Sequence, residues 1–258
     1  REFEQMDVQY FCKPADADAQ YEAWKTNRWE FYTKFLGLSE DNVRWRQHEQ
    51  DERAFYASDA WDIEYRFGEI GFKEVEGVHH RGSYDLDQHS KCSGEDLSYF
   101  DAETNERYTP CIVECSGGFN RLFLLTLFEF YREEDVTTAK GETETRVVMA
   151  LPYSLAPYKI AILPLMKKDG LADKAWEIYE ALRTQGISAE YDESGSIGTR
   201  YRRQDEIGTP WCVTVDYDTL ESGTVTLRHR DTMEQIGKGG RISIDEIGMY
   251  LHKEQFGT

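Results

Sequence analysis

A short stretch in the middle of the sequence brings together residue types that are common in binding sites. Glu114 and Ser116 are followed by Gly117 and Gly118, and Arg121 comes just before the apolar run LFLLTLFEFY. A helix N-terminus offers unpaired N–H groups and a partial positive charge, and glycine lets a ligand approach the backbone closely. The alternative is a glycine-rich turn in which Arg121 pairs with a structural carboxylate. This stretch alone leaves both interpretations open.

The elements around this stretch are predicted to be a strand and a helix. The residues before Gly117 are mostly apolar and strand-like, and those after Arg121 are apolar nearly all round, so we expect the helix to be buried. The apolar positions that predict this helix are Leu122, Phe123, Leu124, Leu125, Leu127, Phe128 and Phe130. The candidate site therefore lies at a strand-to-helix corner.

The rest of the first half predicts a sheet with a covering helix. Aromatic residues spaced by three or four between residues 16 and 60 predict an amphipathic helix that ends near Gly37. Short β-rich runs broken by glycines, from Asp62 to Glu114, predict antiparallel strands. Residues 132–146 are polar and are predicted to form a surface loop. The linker LPYSLAPY follows and places a domain boundary near 152–157.

The second half alternates strand-like and helical segments. A helix is predicted from Leu171 to Leu182, because Leu171, Ala175, Ile178, Tyr179 and Leu182 share one face. Strand and helix in this order predict an α/β domain with a largely parallel sheet. The common nucleotide-binding and hydrolase signatures, such as the Walker A motif and G-x-S-x-G, do not occur in the sequence.

Composition and charge limit the class of protein. The sequence has 258 residues and a net charge of −19, which on average repels nucleic acid and anionic membranes. Residues 157–258 carry 13 basic and 17 acidic side chains, a net of −4, which leaves −15 for residues 1–156. A basic face is therefore expected only in the C-terminal part. The sequence has no membrane-spanning run, and its five scattered cysteines predict reduced thiols and a cytoplasmic location.

Glu-x-Ser-x-Gly-x-x-Arg followed by an apolar helix resembles motif 3 of the class II aminoacyl-tRNA synthetases. The whole chain resembles the bacterial-type glycyl-tRNA synthetases within that class. The stretches that carry this resemblance are REFEQMDVQYF, DIEY with KEVEGVHHRGSYDL, QHSKCSGEDLSYFD, YRRQDEIGTPWCVTVDYDTL and TVTLRHRDTMEQI.

The resemblance implies two domains. Residues 1–153 would be the C-terminal part of an α+β class II catalytic core, an antiparallel sheet with helices that begins within motif 2. Residues 154–258 would be an α/β anticodon-binding domain with a mainly parallel sheet. The chain would then be the C-terminal portion of a longer, homodimeric synthetase, inactive by itself.

An ATP site with its Mg²⁺ ion is also implied by the resemblance. Arg1 would hold a phosphate, Phe3 would stack on the adenine, and Arg121 would cover its opposite face. Glu74 would bind Mg²⁺, since a hard cation prefers carboxylate oxygen. The residues implied at ATP are Arg1, Glu2, Phe3, Glu74, Val75, Gly118 and Arg121, with Arg1 and Arg121 as catalytic residues.

For the amino acid, the resemblance implies a small pocket that accepts glycine. Glu114 would take the ammonium group, and Asp7 stands where the family usually has glutamate. Gly117 and Gly118 would wall the pocket. The residues implied at glycine are Phe3, Asp7, Glu114, Ser116 and Gly118. The implied reaction forms glycyl adenylate and pyrophosphate and then charges tRNA(Gly).

Two further groups of residues are candidates for function. His79 and His80 adjoin Arg81, but adjacent residues of a strand point to opposite faces, so one histidine is expected to be packed and the other exposed.

In the second domain the resemblance implies tRNA contacts by Arg200, Arg202, Arg203, Arg228 and Arg230. The alternative for each arginine is a surface ion pair. The alternative for the whole protein is a synthetase-like nucleic-acid-binding subunit without catalysis.

Overall fold

The structure is a computed structural model that describes residues 2–137 and 141–256. The chain divides into two compact units between Glu129 and Phe130.

The first unit is built on an antiparallel sheet. Its strands are β1 (Gln5–Cys12), β2 (Val43–Gln47), β3 (Asp59–Arg66), β4 (Phe72–Gly82), β5 (Tyr99–Asp101), β6 (Glu106–Tyr108) and β7 (Cys111–Gly118). Five of them form one sheet in the order β1-β7-β4-β3-β2, and every neighbouring pair is antiparallel. Strands β5 and β6 form a separate hairpin. The antiparallel strands predicted from Asp62 to Glu114 are confirmed.

Three helices accompany this sheet: α1 (Ala17–Glu30), α2 (Tyr84–Ser93) and α3 (Phe119–Phe130). Tyr21 of α1 packs against Val78, Val113 and Cys115, the residues of β4 and β7 that point away from Ser116. Helix α1 continues as a single π-helical turn, and the chain then turns at Gly37 with φ of 72°. Because side chains alternate along a strand, one face of the sheet is apolar and covered by α1, and the other is polar.

One charged cluster lies on the apolar face. Glu76 of β4 is only 2% exposed and accepts hydrogen bonds from Arg28 Nε at 2.5 Å and Nη2 at 2.9 Å. The Tyr32 hydroxyl donates a third bond at 2.8 Å. Burial raises the pKa of Tyr32 well above its ordinary value, so its proton stays on the oxygen. These bonds compensate a carboxylate that would otherwise be very unfavourable in the interior.

The prediction that α3 is buried all round is wrong for this chain. Leu125 is fully buried, but Phe119, Phe123, Leu124 and Phe128 are exposed, Phe123 by 62%. A helix that is apolar on every side needs neighbours on every side, and the described residues cover only one of its faces.

The second unit contains a mixed sheet and a hairpin. Its strands are β8 (Tyr131–Thr137), β9 (Thr143–Met149), β10 (Ile160–Pro164), β11 (Ala189–Tyr191), β12 (Trp211–Val215), β13 (Thr224–His229) and β14 (Gln235–Ser243). Its helices are α4 (Leu171–Thr184), α5 (Ile197–Ile207), α6 (Tyr217–Ser222) and α7 (Ile247–Phe256). The five-stranded sheet has the order β11-β10-β12-β13-β14. Helix α4 buries Leu171, Ala175, Ile178 and Leu182 against this sheet, as its periodicity predicts.

The expectation of a mainly parallel sheet is wrong. Strand β10 pairs with β11 and β12 in parallel, but β13 pairs with β12 and β14 in antiparallel fashion. A parallel crossover needs about a dozen residues or more. Only residues 216–223 connect β12 to β13, so the chain reverses direction instead.

The polar segment 132–146 is not the predicted loop, because most of it forms the β8–β9 hairpin. Its middle, residues 138–140, lies outside the described residues. Most side chains of β8 and the first three of β9 are exposed, which explains why this segment has the polar pattern of a loop. Arg146 of β9 is 1% exposed and pairs with Asp205 of α5 at 3.0 Å. The hairpin therefore belongs to the second unit, which begins earlier than the predicted boundary at 153/154.

Candidate active site

The polar face of the first sheet gathers the predicted amino acid residues on two neighbouring strands. Strand β7 places Glu114, Ser116 and Gly118 on this face. Strand β1 lies beside it, with Asp7 opposite Ser116 and Gln9 opposite Glu114. Directly opposite residues of an antiparallel pair point to the same side. The sheet therefore brings Asp7 and Ser116 together, as the sequence predicts.

A glutamine amide links these two side chains. Gln5 Nε2 donates to the Ser116 hydroxyl at 2.5 Å and to Asp7 Oδ1 at 3.1 Å. Asp7 is exposed and Ser116 is half-buried. The pair therefore offers a carboxylate and a hydroxyl oxygen on the polar face, held in place by one amide.

Glu114 lies next to this pair, but its carboxylate already has hydrogen-bond partners within the protein. It is 8% exposed, and its Oε2 accepts hydrogen bonds from Arg81 Nη1 at 2.5 Å and Gln9 Nε2 at 3.0 Å. Arg81 also donates to Asp85 at 2.9 Å. Although burial lowers the pKa of Arg81, the charge of Glu114 raises it further, so the net shift is upward. The Arg81 guanidinium therefore stays charged beside the Glu114 carboxylate.

A cavity opens beside Ser116, between β1, β4 and the start of α3. Its volume is about 330 Å³, and Phe3, Glu74, Ser116, Gly118 and Arg121 all line it. These are five of the residues implied at ATP or glycine. Phe3 is 72% exposed and presents an open aromatic face.

The first turn of α3 is fixed to the chain segment that precedes β1. Phe119 N–H donates to the Glu4 carbonyl at 2.8 Å, and the Asn120 side-chain oxygen accepts from Glu4 N–H at 2.6 Å. The exposed Arg121 guanidinium donates to the backbone carbonyl of Glu74. This contact is to a peptide group and not to a carboxylate, so the guanidinium keeps its charge available to an anion.

The other implied residues have different environments. Arg1 lies outside the described residues, Glu2 is exposed, and Val75 is 1% exposed. Glu74 is exposed and is the implied Mg²⁺ ligand. Within residues 2–137 and 141–256, no three histidine, cysteine or acidic side chains are grouped as a protein-built metal site requires. One carboxylate beside substrate phosphates is a usual donor set for Mg²⁺, so Glu74 fits that role.

Only one of the two motif glycines faces the cavity. A Cβ added to Gly118 would lie 3.5 Å from the Arg121 Cβ. A Cβ added to Gly117 would lie 3.4 Å from Glu76 Cγ, on the covered face of the sheet. The interpretation that Gly117 walls the amino acid pocket is therefore wrong, because neighbouring residues of β7 point to opposite faces.

His79 and His80 do point to opposite faces, but neither is exposed. His79 is half-buried on the polar face, with its Nδ1 3.7 Å from Glu114 Oε1. Burial lowers the pKa of His79, against the opposing effect of Glu114. His80 is buried on the other face, edge-on to Tyr21, with Nε2 3.3 Å from Asp18 Oδ1.

In the second unit, two of the implied tRNA contacts are occupied within the fold. Arg200 is 3% exposed and donates to the backbone carbonyls of Pro164 and Asp192. Arg228 donates both terminal nitrogens to the buried Asp205, at 3.0 and 3.2 Å. These guanidinium groups face the interior, which corrects the expectation that they contact RNA phosphates.

The remaining three arginines are paired as well. Arg230 is 4% exposed and donates to two backbone carbonyls, so the same correction applies to it. Arg202 pairs with Glu144 at 3.0 Å, and Arg203 with Asp192 at 2.9 Å. Arg202 and Arg203 are partly exposed and remain candidates for RNA contact.

Comparison with known proteins identifies relatives across both units. Residues 159–254 match the family described as the anticodon binding domain. The glycine–tRNA ligase of Treponema denticola is 50% identical over 236 residues, which cover 91% of this chain and 52% of that protein. The corresponding ligase of Streptomyces coelicolor is 47% identical over 253 residues, with 97% and 54% covered. The chain belongs to the glycine–tRNA ligase family. It spans about half the length of the curated relatives it matches, including that of Borrelia hermsii.

In this member of the glycine–tRNA ligase family, the residues that hold the site together belong to no motif of the sequence. Gln5, Gln9 and Arg81 bind the implied ligand-binding side chains, and Gly77 lies directly opposite Ser116 on β4. In the sequence, Arg81 stands out only as a neighbour of the two histidines. The period of two along β1 and β4 could have placed all four residues on the polar face. In the described part of the chain, no helix is both long and apolar enough to cross a membrane.

Proposed function

We propose that the protein to which this chain belongs is a glycine–tRNA ligase. It would activate glycine with ATP to form glycyl adenylate and pyrophosphate, and then transfer the glycyl group to tRNA(Gly). The observation that carries the proposal is the identity of 46–50% to three glycine–tRNA ligases over 91–98% of the chain. The convergence of Phe3, Glu74, Ser116 and Arg121 on one cavity supports it.

The amino acid subsite in this proposal lies at Ser116. Asp7 is an exposed carboxylate joined to Ser116 through Gln5, and it would pair with the ammonium group of glycine. Glu114 would act beside it by contributing negative charge from a position fixed by Arg81. An ammonium placed between two carboxylates is strongly favoured when one of them has an uncommitted oxygen.

ATP would occupy the end of the cavity formed by Phe3 and Arg121. An exposed phenylalanine ring and a guanidinium can hold an adenine between them by stacking. The helix N-terminus at Gly118 favours anionic phosphate oxygens. Glu74 would hold Mg²⁺ at the phosphates, and the ion, when bound, neutralises their charge.

The residues named need not supply a nucleophile. The carboxylate of glycine attacks the α-phosphorus, and pyrophosphate leaves with the electrons of the broken P–O bond. The contribution of the protein is then to align the two substrates and to stabilise charge at phosphorus. A subsite too small for a side chain excludes larger amino acids without an editing domain.

The second unit would bind tRNA through its anticodon, since it matches the anticodon-binding domain family. Its sequence is less acidic than that of the first unit, which favours contact with a polyanion. We further propose a homodimer in the cytoplasm, where the five free cysteines would stay reduced.

Glycine-dependent ATP–pyrophosphate exchange by the full-length protein tests the proposal. We expect exchange with glycine and ATP, and charging of tRNA(Gly). Ser116→Ala and Arg121→Ala should each lower kcat/KM for exchange by at least about tenfold, the value of one hydrogen bond to a charged group. A full-length protein that binds duplex DNA but neither glycine nor ATP would instead be the non-catalytic nucleic-acid-binding subunit.

A further inference from the structure

The amino acid subsite ends at a histidine that the proposed reaction does not use. The cavity lining stops at Ser116, and the next residues on the polar face, moving away from α3, are Glu114 and His79. On β4, Gly77 lies opposite Ser116 and His79 lies opposite Glu114. His79 therefore lies just beyond Ser116, on the side of the subsite away from α3.

The His79 ring does not stand upright from its own position but folds back over Gly77. A Cβ added to Gly77 would lie 2.6 Å from His79 Cε1 and 3.1 Å from Nε2. The ring edge thus occupies the place of the missing side chain at residue 77. Opposite Cβ positions in an antiparallel pair are about 4.5–5.5 Å apart, so this ring edge borders the space beside Ser116.

The His79 ring has two neighbours on the polar face, Glu114 and His48. Its Nδ1 faces Glu114 Oε1 at 3.7 Å, and the His48 ring stands perpendicular to it with centroids 6.1 Å apart. Glu114 is itself fixed by Arg81, and His48 Nε2 lies 2.7 Å from Asp62. Moving the ring out of the subsite would therefore disturb neighbours that are already paired.

We propose that His79 is a specificity-determining residue, which fills the space beside Ser116 and so excludes amino acids that carry a side chain. The proposal rests on the proposed glycine–tRNA ligase function and assigns its selectivity to a named group. The position of the His79 ring also requires glycine at residue 77, because any larger residue there would collide with the ring. Glycine passes because it has no atom to place where the ring lies.

The test compares alanine with glycine in ATP–pyrophosphate exchange by the full-length protein. Removing the ring in His79→Ala opens room for a methyl group, and we expect the ratio of kcat/KM for alanine to that for glycine to rise about 10- to 100-fold. His79→Phe keeps a ring of similar size and should leave the ratio low. His80→Ala is the matched control, since it removes the neighbouring histidine from the opposite face.

The outcomes separate this inference from the proposed function. An unchanged ratio in His79→Ala, with glycine activation retained, overturns the role of His79 and leaves the ligase function intact. An equal rise in His80→Ala also overturns it, because the effect would then be a general loosening of β4. If His79→Ala fails to fold, His79→Thr decides by the same ratio. A wild-type protein that activates no glycine overturns the proposed function itself.

Discussion

Replacing Arg28 with methionine should destabilise the first unit more than any exposed ion pair could. The guanidinium makes two hydrogen bonds to Glu76, and the two side chains are 15% and 3% exposed. Methionine keeps most of the apolar stem of arginine but leaves the carboxylate without its positive partner. Only the Tyr32 hydroxyl would then remain bonded to it.

The expected cost follows from the burial of this pair. Removing one member of a buried ion pair destabilises a protein by about 3–5 kcal/mol, and the partial exposure of Arg28 places it at the lower end, about 3 kcal/mol. With a urea m-value of about 2 kcal/mol/M, the unfolding midpoint of the first unit should fall by about 1.5 M.

Urea unfolding followed by tryptophan fluorescence measures this midpoint, because four of the six tryptophans, Trp24, Trp29, Trp45 and Trp61, belong to the first unit. The double variant Arg28→Met, Glu76→Leu removes both charges and should recover most of the loss. Arg107→Met, which removes an exposed partner of Asp96, should leave the midpoint unchanged.

Two results would refute this reasoning. A loss below about 1 kcal/mol in Arg28→Met would mean that water reaches Glu76 and that the cluster behaves as a surface pair. A double variant as unstable as the single one would mean that the packing of the stems, and not the uncompensated charge, sets the stability.

Three further perturbations have defined outcomes. Asp7→Asn removes the exposed charge beside Ser116 and should lower kcat/KM for glycine in pyrophosphate exchange by about 10- to 100-fold, with the KM for ATP unchanged; an equal effect on both substrates would contradict the assignment. Asp205→Asn leaves two buried arginines facing a neutral amide and should destabilise the second unit by about 3–5 kcal/mol in thermal unfolding, and a fully stable variant would contradict this. The hydrogen bonds from Arg241 lower the pKa of Asp216 below its ordinary value of 3.8. The stabilisation from these hydrogen bonds is therefore present above pH 3.8 and is lost as the pH falls through the folded pKa. Wild type and Asp216→Asn should thus differ in urea midpoint at neutral pH and converge in acid. A difference that stays constant with pH would disprove this.

The spacing of apolar residues and the positions of turn-forming residues were sufficient to predict most of the fold. The apolar face of α4 and the glycine-punctuated strands of the first unit follow from local patterns. The direction of β13 does not, because it depends on the length of the connection after β12 and on no pattern within the strand. The β8–β9 hairpin was missed because most of its side chains are exposed, so it lacks the apolar alternation of a half-buried strand.

The candidate site was predictable where a motif fixes spacing along one strand, and less so where partners come from other strands. Ser116, Gly118 and Arg121 follow from one stretch of sequence and do line one cavity. The pairing of Glu114 with Arg81 joins residues of two different strands, and the sequence pattern within either strand does not predict it. Likewise, the positive charge of Arg200 and Arg230 suggested a surface role, whereas their hydrogen bonds to backbone carbonyls make them part of the interior.

The first sheet has two unlike faces, so alternate residues of β7 serve either packing or the cavity. Changes at Val113, Cys115 or Gly117 act on the side packed against α1, and should reduce how much folded protein a cell accumulates. Changes at Ser116 or Gly118 act on the side that lines the cavity, and should reduce turnover at normal abundance. A saturation screen that scores expression and growth separately would then show the two phenotypes interleaved, odd positions against even, along a single strand.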